Sequence, residues 1–122
     1  MLKILIVDDD DMVRLAIEEQ VRRLGHEPTA LADGAAVREA LINGSAFDLI
    51  ILDVWMPEKD GISVLKELDP AVRPKVLVST GGAPHLNQVE TGVVAETFGA
   101  DHVLYKPFEI EDLESAIKLI FP

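Results

Sequence analysis

Cysteine is absent from this 122-residue chain, which removes disulfides, thiolate metal sites and cysteine nucleophiles from consideration. Aromatic residues are scarce at 5%, so the apolar share of 48% rests mainly on Leu, Ile, Val and Ala. Basic residues are few: 11 Lys plus Arg face 22 Asp plus Glu, a formal charge of -11 at pH 7. Such a charge repels a polyphosphate backbone, which argues against nucleic-acid binding by this domain alone. Long apolar runs are also missing. Met1-Leu2-Lys3-Ile4-Leu5-Ile6-Val7 is too short to cross a bilayer and leads into acids instead of a small-residue cleavage site. Neither export nor membrane attachment is expected, and the composition suits a cytoplasmic protein. With no internal repeat and no low-complexity tract, the length fits one domain over residues 1–122.

What is present is a regular change of period. Leu2 to Val7 is a short, nearly continuous apolar run ended by four acids, the pattern of a buried parallel strand. Val13, Ile17, Val21 and Leu24 then recur at helical spacing, with Asp9 or Asp10 placed to cap the helix and Gly25 to end it. Glu27 to Leu31 reads as a weaker strand, and Ala35 to Leu41 as a short helix stopped by Asn43-Gly44. Leu49-Ile50-Ile51-Leu52 is a fully apolar strand ending on Asp53. A helix marked by Ile62, Leu65 and Leu68 follows, then a strand at Val76-Leu77-Val78, a helix from Val89 to Phe98, and a strand from Val103 to Tyr105. The last helix carries Ile110, Leu113, Ile117 and Ile120 on one face, with Glu109 and Glu111 near its positive end. Strands and helices alternating five times imply an α/β fold, a doubly wound parallel sheet with helices on both faces. Gly81-Gly82-Ala83-Pro84 reads as a mobile loop.

In an open α/β sheet, ligands bind beyond the carboxyl ends of the strands, at the point where the strand order reverses. This sequence loads that edge with Asp8 and Asp9, Asp53, Ser79 and Thr80, and Lys106-Pro107. Three converging carboxylates repel one another, and a hard divalent cation relieves that repulsion; all-oxygen ligands favour magnesium, with manganese as a substitute. Lys106 adds a compact positive charge and Thr80 a hydroxyl donor. A carboxylate nucleophile, a metal, an ammonium and a hydroxyl are the parts a phosphoryl-transfer transition state requires. Asp53 stands singly at the end of the most apolar strand and is the better nucleophile, whereas Asp8 and Asp9 form a pair suited to the metal.

Val7-Asp8-Asp9-Asp10, Asp53-Val54-Trp55-Met56-Pro57-Glu58-Lys59-Asp60-Gly61, Ser79-Thr80-Gly81 and Lys106-Pro107-Phe108 together resemble the response-regulator receiver family of two-component signalling, in order and over essentially the whole chain. The resemblance implies a flavodoxin-like sheet in the order 2-1-3-4-5. It implies that Asp53 takes phosphate from the phosphohistidine of a sensor histidine kinase or a histidine phosphotransfer protein. Asp9 would bind magnesium directly, Asp8 through water, and the backbone carbonyl of Trp55 would be the third protein ligand. Thr80 would reach a phosphoryl oxygen, Lys106 would pair with the phosphate, and the Lys106-Pro107 bond would be cis. A receiver of this kind catalyses its own phosphorylation and dephosphorylation and is not a turnover enzyme. Its output would be protein contact through the fourth helix, fifth strand and fifth helix, including a phosphorylation-dependent homodimer.

Two departures from the family pattern stand out. The aromatic switch residue usual three positions before the lysine is Val103 here, with Tyr105 two residues further on the same strand face. The segment between Thr80 and Lys106 is a few residues longer than usual and contains Gly81-Gly82-Ala83-Pro84-His85. That leaves Ser79 and Thr80 both open as the hydroxyl, with Thr80 preferred because the small Gly81 follows it. An alternative reading is therefore a receiver-fold interaction module that signals without phosphorylation. A phosphatase of the haloacid dehalogenase type needs a second acid two residues after its nucleophile, where this chain has Trp55. A flavodoxin-like electron carrier would place phosphate after the first strand, against Asp8 to Asp11. His26, His85 and His102 lack ligand spacing, and Trp55 either shields the site from water or packs on the surface.

Overall fold

The computed structural model describes residues 1–42, 46–56, 60–69, 71, 73–81 and 88–122, with residues 88, 89, 91 and 92 described as backbone only. Along the chain run β1 (Lys3–Val7), α1 (Asp11–Arg23), β2 (Glu27–Leu31), a 3-10 turn (Gly34–Ala36), α2 (Val37–Ile42), β3 (Leu49–Asp53), α3 (Gly61–Glu67), β4 (Lys75–Thr80), α4 (Gln88–Thr97), β5 (His102–Tyr105) and α5 (Ile110–Ile120). The strands form one parallel sheet in the order β2-β1-β3-β4-β5. That is the doubly wound flavodoxin-like order implied by the sequence. Asn43-Gly44, the sequence-level stop of α2, lies outside the described residues, as do Pro57 to Lys59 and Gly82 to His85.

Strand alternation sorts the core into two halves. Leu5, Val7, Ile50, Leu52, Val76, Val78 and Val103 pack with Val37, Val64, Leu65 and Ala95 from α2, α3 and α4. Ile4, Ile6, Leu49, Ile51 and Leu77 pack with Ile17, Val21, Leu113, Ala116 and Ile117 from α1 and α5. Being covered on both faces is why the central strands read as continuous apolar runs rather than alternating ones. Each fully buried Leu, Ile or Val contributes about 1.5–3 kcal/mol relative to exposure. β2 is an edge strand and tolerates Pro28, which lacks the N–H that a central strand would need.

Local chemistry fixes the element ends. Asp10 caps α1, its carboxylate accepting from the N–H groups of Met12 (3.0 Å) and Val13 (3.1 Å), and Gly25 past the end of that helix has a φ of 87°. Asp60 caps α3 by accepting from the Ser63 N–H at 2.8 Å. Two elements differ from the pattern read in sequence. β4 extends through Ser79 and Thr80, both fully buried, because β3 and β5 pair with it on either side. A 3-10 turn, capped by Asp33 to the Ala35 N–H at 2.8 Å, precedes α2 and delays its start to Val37.

Candidate functional site

The chain runs outward from β1 to β2 and then crosses back to β3, so a crevice opens at the carboxyl ends of β1 and β3. Asp8 follows β1 and Asp53 ends β3, and both are buried, at 1% and 5% exposure. Asp9 beside them is exposed. Asp8, Asp9 and Asp53 can each offer a carboxylate oxygen such that all three lie within 4.8 Å of one another. From β5, the Lys106 Nζ reaches Asp8 Oδ2 at 2.7 Å and Asp53 Oδ1 at 3.3 Å. The other Asp8 oxygen accepts the Asp10 N–H at 2.9 Å, and the Arg14 guanidinium holds the Asp8 backbone carbonyl at 2.9 Å. The cluster is thus oriented by bonds from α1 and from the far side of the sheet.

The electrostatics follow from burial. Loss of hydration pushes the Asp53 carboxyl up from 3.8 to about 7; Lys106 opposes that shift, while the Asp8 charge and the Asp9 carboxyl add to it. For Lys106, burial is the largest influence and acts downward. The Asp8 hydrogen bond and the charges of Asp53 and Asp8 together outweigh it, and the ammonium sits above its ordinary value. When all are ionised, three carboxylates against one ammonium leave two negative charges uncompensated. The donor set is oxygen only, so it fits a hard divalent cation.

Of the residues singled out in sequence, the structure brings together Asp8, Asp9, Asp53 and Lys106. Thr80 is fully buried at the end of β4, and its backbone carbonyl accepts from the Lys106 N–H at 2.8 Å. Trp55 lies on the loop after β3 with its side chain 38% exposed. The Lys106-Pro107 peptide is cis. Val103, at the usual aromatic position, is taken into the core, whereas Tyr105 stands opposite Thr80 in the β4–β5 register and is 38% exposed. His26 is away from the acids, its Nδ1 accepting the Leu2 N–H at 3.0 Å.

Gly61 is more than the turn residue that its sequence context suggests. Its N–H donates to the Val54 carbonyl at 2.7 Å, and a Cβ there would lie 2.3 Å from the Asp53 carbonyl oxygen. Only glycine lets α3 start this close to the end of β3. Its sequence signal was an Asp-Gly pair shortly after Asp53, which a simple turn shares. A cavity of about 440 Å³ lies elsewhere, between α2 and the α3–β4 connection. Its Arg73 is committed to Asp101, Gly99 and Pro74, and the convergent carboxylates are at the other site.

Comparison with known proteins agrees with this geometry. The response regulator receiver domain family matches residues 4–118. The chain is 38% identical over 117 residues to Protein PetR of Rhodobacter capsulatus, covering 96% of this chain and 47% of that protein. Less than half the length of the curated relatives is spanned in this way. Among solved structures, the Francisella response regulator 1452 receiver domain superposes with a TM-score of 0.83 at 30% identity, covering 99% of this chain and 97% of that one. Thermotoga maritima TrrA, solved in complex with Mg(2+)-BeF, gives a TM-score of 0.79 at 26% identity, with 97% of each chain covered. The fold order, the acidic crevice with its lysine, and the match over nearly the whole chain place this protein in the response regulator receiver domain family.

Proposed function

We propose that this receiver accepts a phosphoryl group on Asp53 from the phosphohistidine of a sensor histidine kinase or a histidine phosphotransfer protein. The observation that carries the reading is the buried Asp53 carboxylate held 3.3 Å from Lys106 beside Asp8 and Asp9. An Asp53 carboxylate oxygen attacks phosphorus, the P–N bond to the imidazole breaks, and the bonding pair leaves on the imidazole nitrogen. Lys106 offsets charge on the phosphoryl oxygens, and of the two hydroxyls left open in the sequence it is that of Ser79, opposite Asp53 in the β3–β4 register, that donates to one of them, while Thr80 takes the other face of the strand. Asp8, Asp9, Asp53 and the Trp55 carbonyl would hold magnesium or manganese, which supplies charge neutralisation between the acceptor and the incoming phosphoryl group. That TrrA was solved with Mg(2+)-BeF supports this assignment by likeness. The protein acts on its own Asp53 and is not a turnover enzyme.

Output would pass through α4, β5 and α5 to a protein target or a second copy of the chain. Exposed Val93, Phe98, Tyr105 and Leu119 on these elements and the turn after α4 support such a contact. Incubation with magnesium and a small phosphodonor tests the acceptor role. The expected result is a mass increment of one phosphate that vanishes in Asp53→Ala. A second reading, an interaction module that works without phosphorylation, draws on the burial of Val103 in the core at the usual aromatic position. Absence of any increment in the wild-type chain would favour it.

A further inference from the structure

Large apolar side chains are exposed around β5 at Val93, Phe98, Tyr105 and Leu119, but they do not share one face. The Lys66 Nζ lies 4.4 Å from the centre of the Phe98 ring, which turns Phe98 toward α3. Ala95 enters the core, so helical spacing leaves Val93 and Glu96 on the flank of α4 away from α3. On α5, Glu114 and Lys118 line a small cavity with Leu24 and His26, beside α1. Leu113, Ala116 and Ile117 enter the core, so Asp112, Ser115 and Leu119 fall on the flank away from α1. Because α1 packs over β1 and β2 and α5 over β5, that flank looks out past the edge of the sheet. Tyr105 shares the parity of Val103 and stands on the α4 side of the same edge. Val93, Tyr105 and Leu119 therefore border one exposed edge of the molecule.

The charge of that edge is of one sign. From Val76 to Tyr105 the chain has no Lys or Arg, and beyond Lys106 it has only Lys118. Lys106 is held in the crevice by Asp8 and Asp53, and Lys118 is on the α1 flank of α5, 3.9 Å from Glu114. Residues 76–122 carry seven acids, of which Glu96 and Asp112 stand beside the apolar residues of the edge. An apolar strip rimmed by carboxylates and without a cation is complementary to apolar side chains flanked by Lys or Arg.

We propose that the edge formed by α4, β5 and α5 is a docking surface for a basic amphipathic segment of a partner protein. Val93, Tyr105 and Leu119 take its apolar side chains, and Glu96 and Asp112 pair with its cations. The inference rests on the output reading above and names the chemistry of the partner. A second copy of the chain does not fit, because a two-fold interface would set the same acids against each other with no Lys or Arg from α4 or β5 to offset them.

The probe is an amidated peptide of about 14 residues made of leucine, alanine and lysine, with the leucines along one helical face. Its counterpart carries glutamate for every lysine. Binding to the full chain is titrated in magnesium with and without beryllofluoride, whose own uptake is followed through Trp55, the only tryptophan. Wild type is expected to bind the lysine peptide and not the glutamate one, and more tightly in beryllofluoride. Glu96→Lys/Leu119→Lys should weaken binding about tenfold, whereas Leu15→Lys/Glu19→Lys, the same change of charge at exposed positions of α1, should stay within about twofold. Tyr105→Ala should also weaken binding, and it carries the test if the double variant fails to fold. Equal losses in the two double variants overturn the proposal, since they mark bulk charge without a site. So do unchanged affinity in Glu96→Lys/Leu119→Lys and absence of binding to wild type in either state. A beryllofluoride-induced dimer that Glu96→Lys/Leu119→Lys dissolves also overturns it, because a second copy then occupies the edge. Peptide binding at the edge that is equal with and without beryllofluoride uptake supports the docking surface and defeats phosphorylation-controlled output instead.

Discussion

Asp53 holds its proton unusually tightly for a carboxylate, and that has a consequence for folding. Its pKa rises from 3.8 to about 7, chiefly because burial strips its hydration. A folded-state pKa above the unfolded value means that this group's stabilising contribution is complete below about pH 4 and is lost as pH climbs through about 7. Lys106 is shifted upward from 10.5 and so leaves that window untouched. His26 is shifted downward, first by burial and then by the N-terminal charge, and contributes with the opposite slope below 6.5. Comparison with Asp53→Asn cancels the histidine effect because both proteins retain it. In chelator, wild type relative to Asp53→Asn is expected to lose unfolding free energy between pH 4 and 7, and excess magnesium should abolish the loss. Denaturant titrations that run parallel for the two proteins in chelator would refute the assignment.

At the scale of elements, the junction of β3 with α3 sets the backbone around Asp53. Asp60 caps the helix and Gly61 bonds to the Val54 carbonyl, so Asp53 is followed by a tight return rather than a loose loop. A methyl group at Gly61 would press on the carbonyl and Cα of neighbouring backbone, which has no flexible end to move aside. Gly61→Ala is expected to cost about 3 kcal/mol in chemical denaturation and to slow phosphorylation of Asp53. Full stability in this variant would show that the junction can shift freely. The neighbouring β4 teaches a related lesson. Ser79-Thr80 looks like the polar end of a short strand in sequence, but pairing of Ser79 with both β3 and β5, and of Thr80 with β5, extends the strand through both residues.

For the whole molecule, the dominant long-range feature is the charge of -11. Like charges spread over a small domain repel one another and favour the expanded chain. Raising potassium chloride to about 0.5 M shortens the screening length to about 4 Å, and the thermal midpoint should rise. A midpoint independent of salt would mean that the acids are already balanced locally. Some are: Arg14 pairs with Asp11 and Arg73 with Asp101. The acidic crevice is different, since one lysine faces three carboxylates there.

Much of this was legible in the chain itself. Apolar runs at Leu2 to Val7 and Leu49 to Leu52, helical spacing from Val13 to Leu24, and acids directly after the strands are local patterns, and local patterns follow from backbone period and burial. They give the order of elements, the parallel sheet and the edge that bears Asp8, Asp9, Asp53 and Lys106. Tertiary structure alone decided what depends on register between distant segments. It set the 2.7 Å and 3.3 Å contacts of Lys106 and the burial that lifts the Asp53 pKa. It also decided the close approach at Gly61, the removal of Val103 into the core, and the place of Ser79 opposite Asp53. The physical reason is that period states which face a residue takes, while only pairing across the sheet states whom it meets there.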